Sequence, residues 1–359
     1  MLGSDVICDV LIIGGGIAGV SAAADIAPSA SVVLLEAEAS LAHHASSRSA
    51  ALYEPHYGPP AIVQLSLASR DSLDEMAVLS PRGVMIVADA TQTEAFAADI
   101  AAMHLDEITT DDAAARFPAL DPTRLARAAI AAHAWDIDTD LLIQSSARRA
   151  RARGASILTD APLRSLTRDA QGWHAVTPAG EVTARVVVNA AGAWADRVAE
   201  MAGVAPLGLV PHRRSMARIP APGGMDPAAW PMIIGAGESW YAKPDAGALI
   251  VSPADAEPTH PHDAWADDMV LAEGLARYEA MMRFPVDRLL SNWAGLRTFS
   301  PDGTPVYGRD RTQPDFVWFA GQGGYGFQSA PAAARFVADV VLDRHPDPAL
   351  ARMLDPARF

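Results

Sequence analysis

Three glycines near the N-terminus have the spacing of a nucleotide-binding turn. Gly14, Gly16 and Gly19 form the pattern Gly-x-Gly-x-x-Gly directly after the apolar run 9–13. Gly14 permits the tight turn, Gly16 lets the backbone approach a pyrophosphate, and Gly19 lets the following helix pack on the strand. Glu36 closes the next apolar run, where a carboxylate can hydrogen-bond ribose hydroxyl groups. The pattern predicts a dinucleotide site, but its spacing does not distinguish FAD from NAD.

Two later segments favour FAD. Ser47, Arg48 and Ser49 follow Glu36 closely, and they offer a guanidinium and hydroxyl groups to a pyrophosphate. The glycine-rich run 321–326 leads into a C-terminal helical segment. Backbone N–H groups and a helix dipole there can stabilise the negative charge that develops on a reduced flavin. These features predict a flavoprotein.

A βαβ unit must position the glycines and Glu36. The run 9–13 is typical of a buried parallel strand, 17–27 of a helix and 31–36 of a second strand. Short β-like runs separated by Pro- and Gly-rich turns follow residue 209 and predict an antiparallel sheet. Further helices are predicted at 60–76, 91–103, 111–117, 141–153 and about 330–342, and a hairpin at 173–176 and 182–188.

The fold class predicted from this order is α/β, a Rossmann-type FAD-binding domain with an inserted α+β substrate domain built on an antiparallel sheet. A chain of 359 residues exceeds the size at which a single core keeps growing. The FAD-binding domain is expected to be discontinuous, at 1–84, 141–209 and 293–359. The substrate-binding domain is expected at 85–140 and 210–292.

Composition excludes several classes of partner. The chain carries 28 Lys and Arg against 43 Asp and Glu, a net charge of −15 that disfavours nucleic acid and anionic membranes. Cys8 is the single cysteine, so an intramolecular disulfide and a cysteine-based metal site are excluded, and no metal is expected. The longest apolar stretch, 10–24, is too short to span a bilayer. A soluble, cytoplasmic protein without an integral membrane segment is expected.

Nine strings of this chain occur in the same order in a known enzyme family. They are 12–19, 48–51, 79–82, 136–140, 189–194, 213–215, 241–247, 293–297 and 322–326. In them the chain resembles the D-amino acid oxidase superfamily, and within it the bacterial FAD-dependent D-arginine dehydrogenases. The match runs nearly from end to end.

The resemblance implies roles for individual positions. Arg214 and Arg297 match two arginines that hold the substrate carboxylate, which a planar guanidinium suits better than a lysine. Tyr57 and Tyr241 match tyrosines that shield the pocket from water. Residues beside the flavin and the substrate are implied at Gly324 and Gln328. Contacts to FAD are implied at Gly14, Gly16, Ala18, Gly19, Glu36, Ala37, Ser47, Arg48, Ser49, Gly192, Gly323, Gly324, Gly326 and Gln328.

The implied activity is oxidative deamination of a D-amino acid. The carboxylate clamp aims the substrate Cα–H at flavin N5, and a hydride equivalent leaves with the push of the neutral amine. The imino acid product then hydrolyses to a 2-oxo acid and ammonia, so no protein base is assigned. The electron acceptor is oxygen or a quinone-like carrier. Non-covalent FAD is expected because Cys8 lies far from the C-terminal segment where some relatives tether the ring.

One departure from the family pattern bears on the substrate. D-arginine dehydrogenases carry a glutamate just before the methionine that matches Met85, and this acid pairs with the cationic side chain. Here that position is Val84, and an unpaired buried charge costs several kcal/mol. A neutral, mainly apolar side chain in contact with Val84 and Met85 is therefore expected. Glu54, or with less reason Glu238, could replace the missing carboxylate.

Two other functions remain open at this point. An N-methyl or secondary amino acid oxidase of the sarcosine or glycine oxidase kind shares the fold, the flavin and the carboxylate clamp. A flavin-binding protein without turnover is the third hypothesis, although paired arginines and an aromatic pocket argue against it. The amine that reduces the bound flavin distinguishes the three.

Overall fold

The computed structural model of the chain describes residues 6–359, which form 20 strands and nine α-helices. The strands are β1 Val6–Ile13, β2 Val32–Leu35, β3 Leu52–Tyr53, β4 Leu79–Pro81, β5 Val84–Ala88, β6 Asp106–Ile108, β7 Arg127–Ala131, β8 Trp135–Ile137, β9 Ser156–Leu158, β10 Ser165–Asp169, β11 Gly172–Thr177, β12 Gly180–Asn189, β13 Val210–Pro220, β14 Met232–Gly235, β15 Tyr241–Asp245, β16 Ala248–Ser252, β17 Glu257–Pro258, β18 Ser291–Phe299, β19 Val306–Arg309 and β20 Phe316–Ala320. The helices are α1 Ile17–Ile26, α2 Pro60–Glu75, α3 Thr93–Met103, α4 Thr110–Arg116, α5 Thr139–Ala152, α6 Ala195–Met201, α7 Asp268–Glu279, α8 Gly326–Val341 and α9 Pro348–Leu354.

An eight-stranded sheet carries the predicted nucleotide-binding unit. Strands β9, β2, β1, β12 and β20 pair in parallel, and the hairpin β10–β11 and strand β19 extend the sheet. Strand β1 is buried on both faces, since Val10 and Ile12 pack into one core cluster and Leu11 and Ile13 into another. Such a continuous apolar run is what a covered parallel strand requires. Cys8 lies within β1, whereas the sequence predicted a strand that begins one residue later, at residue 9.

Small side chains set the packing of the helices on this sheet. Helix α1 carries the run of three buried alanines 22–24, which allows α5 and α8 to approach it closely. Helix α5 begins after Asp138, whose carboxylate accepts a hydrogen bond from the N–H of Leu141 and caps the helix. Helix α8 begins at Gly326, directly after the glycine-rich run. In residues 6–359 no helix combines the length and the apolar character needed to cross a membrane.

A nine-stranded sheet forms the second layer. Its order is β18, β13, β16, β15, β14, β5, β7 and β6, with β17 beside the start of β13. Neighbouring strands are antiparallel except β14 and β5, which run parallel. The predicted α/β fold with an antiparallel substrate sheet is confirmed in this architecture. The domain bounds stay a proposal, and residues 293–299, expected in the FAD-binding domain, lie in β18 of this sheet.

Candidate active site

The glycine turn leaves no room for side chains. Gly14 has φ +108°, and a Cβ there would lie 2.4 Å from the carbonyl oxygen of Ala190. A Cβ on Gly19 would lie 1.9 Å from the carbonyl oxygen of Gly14, so α1 can pack on β1 only with glycine here. The buried Glu36 carboxylate accepts hydrogen bonds from the N–H of Gly15 at 2.7 Å and of Glu38 at 2.9 Å. Both oxygens keep a lone pair for a ribose hydroxyl group.

A cavity of about 470 Å³ runs from this turn to the second sheet. Its size falls in the range of cofactor pockets. The FAD residues implied by the resemblance that line it are Gly14, Gly16, Ala18, Glu36, Ala37, Arg48, Ser49, Gly192, Gly323, Gly324 and Gly326. Gly19, Ser47 and Gln328 lie outside the lining. The glycine turn without side chains, the Glu36 carboxylate and the volume of the cavity fit a dinucleotide such as FAD.

Of the segment 47–49, expected to contact a pyrophosphate, Arg48 and Ser49 line the cavity, and Arg48 is also bonded to the second sheet. Arg48 donates hydrogen bonds to the carbonyl oxygens of Ala264 at 2.9 Å and Ala294 at 3.0 Å, and it pairs with Asp263. Its guanidinium therefore ties the segment to the second sheet, and the structure does not present it as a free phosphate ligand. The exposed Ser47 hydroxyl donates back to the carbonyl oxygen of residue 43 at 2.9 Å. Ser46, which the sequence analysis missed, accepts from the N–H of Ile17 at 3.1 Å and caps α1.

The two clamp arginines lie on adjacent strands and face the same side. Arg214 of β13 pairs in register with Gly295, and Arg297 of β18 pairs with His212, so the two guanidinium groups are diagonal neighbours. Both line the cavity. The backbone of Gly324 lies against Arg297, because a Cβ on Gly324 would be 2.9 Å from its Cζ. The structure thus brings Arg214, Arg297 and Gly324 together.

A protein carboxylate is held between the clamp arginines. Glu238 Oε1 accepts a hydrogen bond from Arg214 at 2.9 Å and lies 3.5 Å from a terminal nitrogen of Arg297. Its Oε2 accepts from the Tyr57 hydroxyl at 2.9 Å. The buried Nε of Arg214 has no hydrogen-bond partner in residues 6–359, so part of the clamp stays available. Glu238 has φ +52°, a strained backbone conformation for a non-glycine residue, and in the sequence only its nearness to Tyr241 indicated a place at the substrate site.

Aromatic rings close the clamp from one side. The rings of Tyr57 and Tyr325 are 5.3 Å apart, and Phe299 lies beyond Tyr325. Burial, and after it the Glu238 carboxylate, raises the pKa of Tyr57 and of Tyr325, so both phenols stay protonated hydrogen-bond donors. Tyr325 belongs to the glycine-rich run but was not nominated from the sequence.

Tyr241 packs near Arg214, and Gln328 forms hydrogen bonds with the loop that carries Tyr57. The buried ring of Tyr241 lies 5.9 Å from the Arg214 guanidinium carbon, and its hydroxyl contacts the sulfur of Met216 at 3.4 Å. Gln328 is buried; its amide donates to the carbonyl oxygen of Tyr57 at 2.9 Å and accepts from the N–H of Glu54 at 3.3 Å. Gln328 therefore holds the loop that carries Tyr57.

Val84 and Met85 face opposite sides of β5. Val84 is fully buried in an apolar cluster that Tyr57 joins at its edge. Met85 is fully buried in a different cluster with Phe117 and Trp230. Successive side chains of a strand alternate between faces, so the two cannot line the same pocket. The structure keeps Val84 on the side of Tyr57 and corrects the placement of Met85.

Comparisons with known proteins extend these observations. The family described as "FAD dependent oxidoreductase", DAO, matches residues 9–340. Human mitochondrial dimethylglycine dehydrogenase is 26% identical over 62% of this chain and 28% of its own length. Glycine oxidase of Bacillus subtilis is 23% identical over 55% of this chain and 52% of its own length. The chain thus spans about half the length of this glycine oxidase and less than a third of the length of the dimethylglycine dehydrogenase.

A solved structure shows the same fold along nearly the whole chain. L-proline dehydrogenase from P. horikoshii superposes with a TM-score of 0.84 at 22% identity, over 99% of this chain and 98% of its own. The family match confirms the prediction of FAD as the cofactor, and with it a flavin-dependent oxidation. The more specific resemblance to D-arginine dehydrogenases stays a prediction. The chain belongs to the DAO family of FAD-dependent oxidoreductases.

Proposed function

We propose that this protein oxidises a D-amino acid with a neutral, mainly apolar side chain. The observation that carries the proposal is the position of Glu238. Two arginines and a tyrosine hydroxyl surround its carboxylate beside the cofactor cavity. A site that binds this carboxylate has the chemistry to bind the α-carboxylate of an amino acid once Glu238 turns away.

The residues of the clamp would orient the substrate and exclude water. Arg214 and Arg297 hold the carboxylate, and the free Nε of Arg214 offers a donor that Glu238 does not use. The protonated phenol of Tyr57 donates to the same group, and Tyr325 covers it from solvent. FAD, when bound, would supply the acceptor for a hydride equivalent from the substrate Cα, and oxygen or a quinone-like carrier would reoxidise it. The product class is a 2-oxo acid plus ammonia.

The side chain of the substrate is inferred from Val84. This residue lies in an apolar cluster with Ile86, Phe96 and Ala236, and Tyr57 packs on it. A guanidinium or ammonium group placed there would lose its hydration, at a cost of several kcal/mol, and the nearest carboxylate at the clamp, Glu238, is held by Arg214 and the Tyr57 hydroxyl. One carboxylate oxygen of Glu54 lies 3.1 Å from Nε2 of His133, so Glu54 is paired there and not with a substrate side chain.

The cytoplasmic location of the protein also remains a prediction.

Anaerobic bleaching of the flavin tests the proposal directly. Holoenzyme is mixed without oxygen with D-Leu, D-Met, D-Phe, D-Arg, L-Pro, sarcosine and dimethylglycine, and the absorbance near 450 nm is followed. We expect the apolar D-amino acids to reduce the flavin fastest. Faster reduction by D-Arg would overturn the side-chain inference, and faster reduction by an L-amino acid would overturn the stereochemistry.

An N-methyl amino acid oxidase is the second candidate. The names of two relatives, dimethylglycine dehydrogenase and glycine oxidase, favour this alternative. Such substrates share the carboxylate, so the clamp suits them equally, but their small side chains would make little contact with the apolar cluster that contains Val84. Bleaching by sarcosine or dimethylglycine ahead of D-Leu would support this reaction instead.

A further inference from the structure

The turn that carries Glu238 is held in place from outside the clamp. The N–H of Gly237 donates to Asp99 of α3 at 2.7 Å, and Nε of Arg277 of α7 donates to the carbonyl oxygen of Ser239 at 2.9 Å. The backbone is thus bonded on each side of Glu238. A rotation of the Glu238 side chain therefore moves its carboxylate off the arginines, while its point of attachment stays beside the clamp.

The two oxygens of the Glu238 carboxylate have different partners. Oε1 accepts a hydrogen bond from Arg214 at 2.9 Å and lies 3.5 Å from a terminal nitrogen of Arg297, whereas Oε2 accepts from the Tyr57 hydroxyl at 2.9 Å. A substrate carboxylate that takes over the two arginines competes with Oε1, and the bond of Oε2 to Tyr57 need not break. Oε1 then loses both positive partners, and a carboxylate in this position needs another cation or N–H donor.

The substrate itself carries that donor. In an α-amino acid the amino group is bonded to the carbon next to the carboxylate, so it lies beside Arg214 and Arg297 once they hold the carboxylate. We propose that Glu238 binds the substrate amino group, with Oε1 accepting an N–H hydrogen bond from it while Oε2 stays bonded to Tyr57. This inference rests on the proposed function, because it needs an amine substrate in the clamp. A charge-assisted bond of this kind is about twice as strong as a neutral one.

The charges that face the clamp favour a zwitterion. Arg214 and Arg297 carry two positive charges, and Glu238 carries one negative charge. Tyr57 and Tyr325 stay neutral, since burial and then the Glu238 carboxylate raise the pKa of both phenols. A zwitterion brings one charge of each sign, so the arginines and Glu238 each keep a partner. A carboxylic acid without an amino group takes the arginines and leaves Glu238 without a partner.

The number of N–H bonds on the amine then limits the substrate class. A hydride equivalent leaves with the push of the neutral amine, and a neutral primary or secondary amine keeps an N–H for Glu238. A neutral tertiary amine has none. Glu238 therefore selects primary and secondary amino acids over tertiary ones such as dimethylglycine.

Paired ligands that differ only in the amino group test the inference. D-Leu and 4-methylpentanoate share the carboxylate and the side chain, and only D-Leu has the amino group. Dissociation constants are measured on holoenzyme, for D-Leu from the rate of anaerobic flavin reduction at increasing concentration and for 4-methylpentanoate from flavin absorbance. We expect Glu238→Gln to weaken D-Leu binding about tenfold, by loss of a charged hydrogen bond, while it tightens 4-methylpentanoate binding. Glu107→Gln, which removes another carboxylate paired with an arginine of the same sheet, should change neither constant.

A second neutral variant controls for a local folding defect. Glu238→Asn suits the positive φ of this position, which asparagine adopts more readily than most residues, and it should shift the two constants in the same opposite directions. The side chain of Glu238 is 35% exposed, so its alternative is to turn into water when substrate binds. Tighter binding of both ligands in both variants would show that alternative and overturn the inference. Weaker binding of both ligands, or an unchanged ratio of the two dissociation constants, would overturn it as well.

Failure of the proposed function has a different signature. If D-Leu binds the wild type without reducing the flavin, its dissociation constant is measured from flavin absorbance. If another amine reduces the flavin instead, that amine and its carboxylic acid analogue replace the pair. In both cases the proposed substrate is wrong, and the ratio of the two constants in Glu238→Gln still decides whether Glu238 binds the amino group. If no amine of the panel binds, both proposals are overturned.

Discussion

Replacing Arg297 with lysine isolates the contribution of one arm of the clamp. Arg297 lies on β18 diagonal to Arg214, and the backbone of Gly324 packs against its guanidinium. A lysine keeps the positive charge but cannot make a two-armed contact with a carboxylate. Losing one partner of a buried charged hydrogen bond costs about 2–5 kcal/mol. This corresponds to a loss of about 30- to 5000-fold in kcat/KM.

Steady-state kinetics with the best D-amino acid from the bleaching panel measures this loss. Arg213→Lys is the matched control, since Arg213 is the next residue on β13 and pairs with Asp255 and Glu257 on the other face. Flavin content should be unchanged in both variants, because neither guanidinium contacts the glycine turn. Unchanged kcat and KM in Arg297→Lys would refute the assignment of Arg297 to the clamp.

Four further predictions concern other parts of the molecule. Val84→Glu should raise kcat/KM for D-Arg relative to D-Leu in steady-state assays, and no change in that ratio would contradict the inferred pocket. Glu238→Gln should bind a simple carboxylate inhibitor about fivefold more tightly in a flavin absorbance titration, because a neutral amide competes less well for the arginines; equal or weaker binding would contradict the stand-in role of Glu238. Asp136→Asn should lower the free energy of unfolding by about 3 kcal/mol in urea, since it leaves Arg82 and Lys243 without their shared anion; a loss below 1 kcal/mol would contradict this. Denaturation and filtration should release the flavin from the protein, because burial raises the pKa of Cys8 to about 11 and keeps its thiol unreactive; flavin that stays with the protein would contradict non-covalent binding.

Local sequence patterns predict the cofactor end of the site well. Gly14, Gly19 and Glu36 act within one βαβ unit, so their spacing along the chain already contains the geometry. The contacts of Arg48 could not be predicted in the same way. Its partners Ala264 and Asp263 are 216 and 215 residues further along the chain, and no local pattern indicates them.

The substrate end depends on long-range contacts. Arg214 and Arg297 could be assigned only through the resemblance, since an isolated arginine is ordinarily a surface residue. The opposite orientation of Val84 and Met85, by contrast, follows from the two-residue period of any strand and was accessible from the sequence. Glu238 reaches the clamp through a strained turn, a tertiary effect that residue type and spacing do not encode.

The pairing of β13 with β18 limits how this protein can evolve. Arg214 and Arg297 face the same side because the register places Arg214 opposite Gly295. Insertion of one residue into either strand would turn every following side chain to the other face and separate the two guanidinium groups. The same restriction applies to β14–β17, which lie between these strands in the chain, but not to the turns that join them. Relatives that share the clamp should therefore conserve the lengths of the paired strands while the turns between them gain and lose residues.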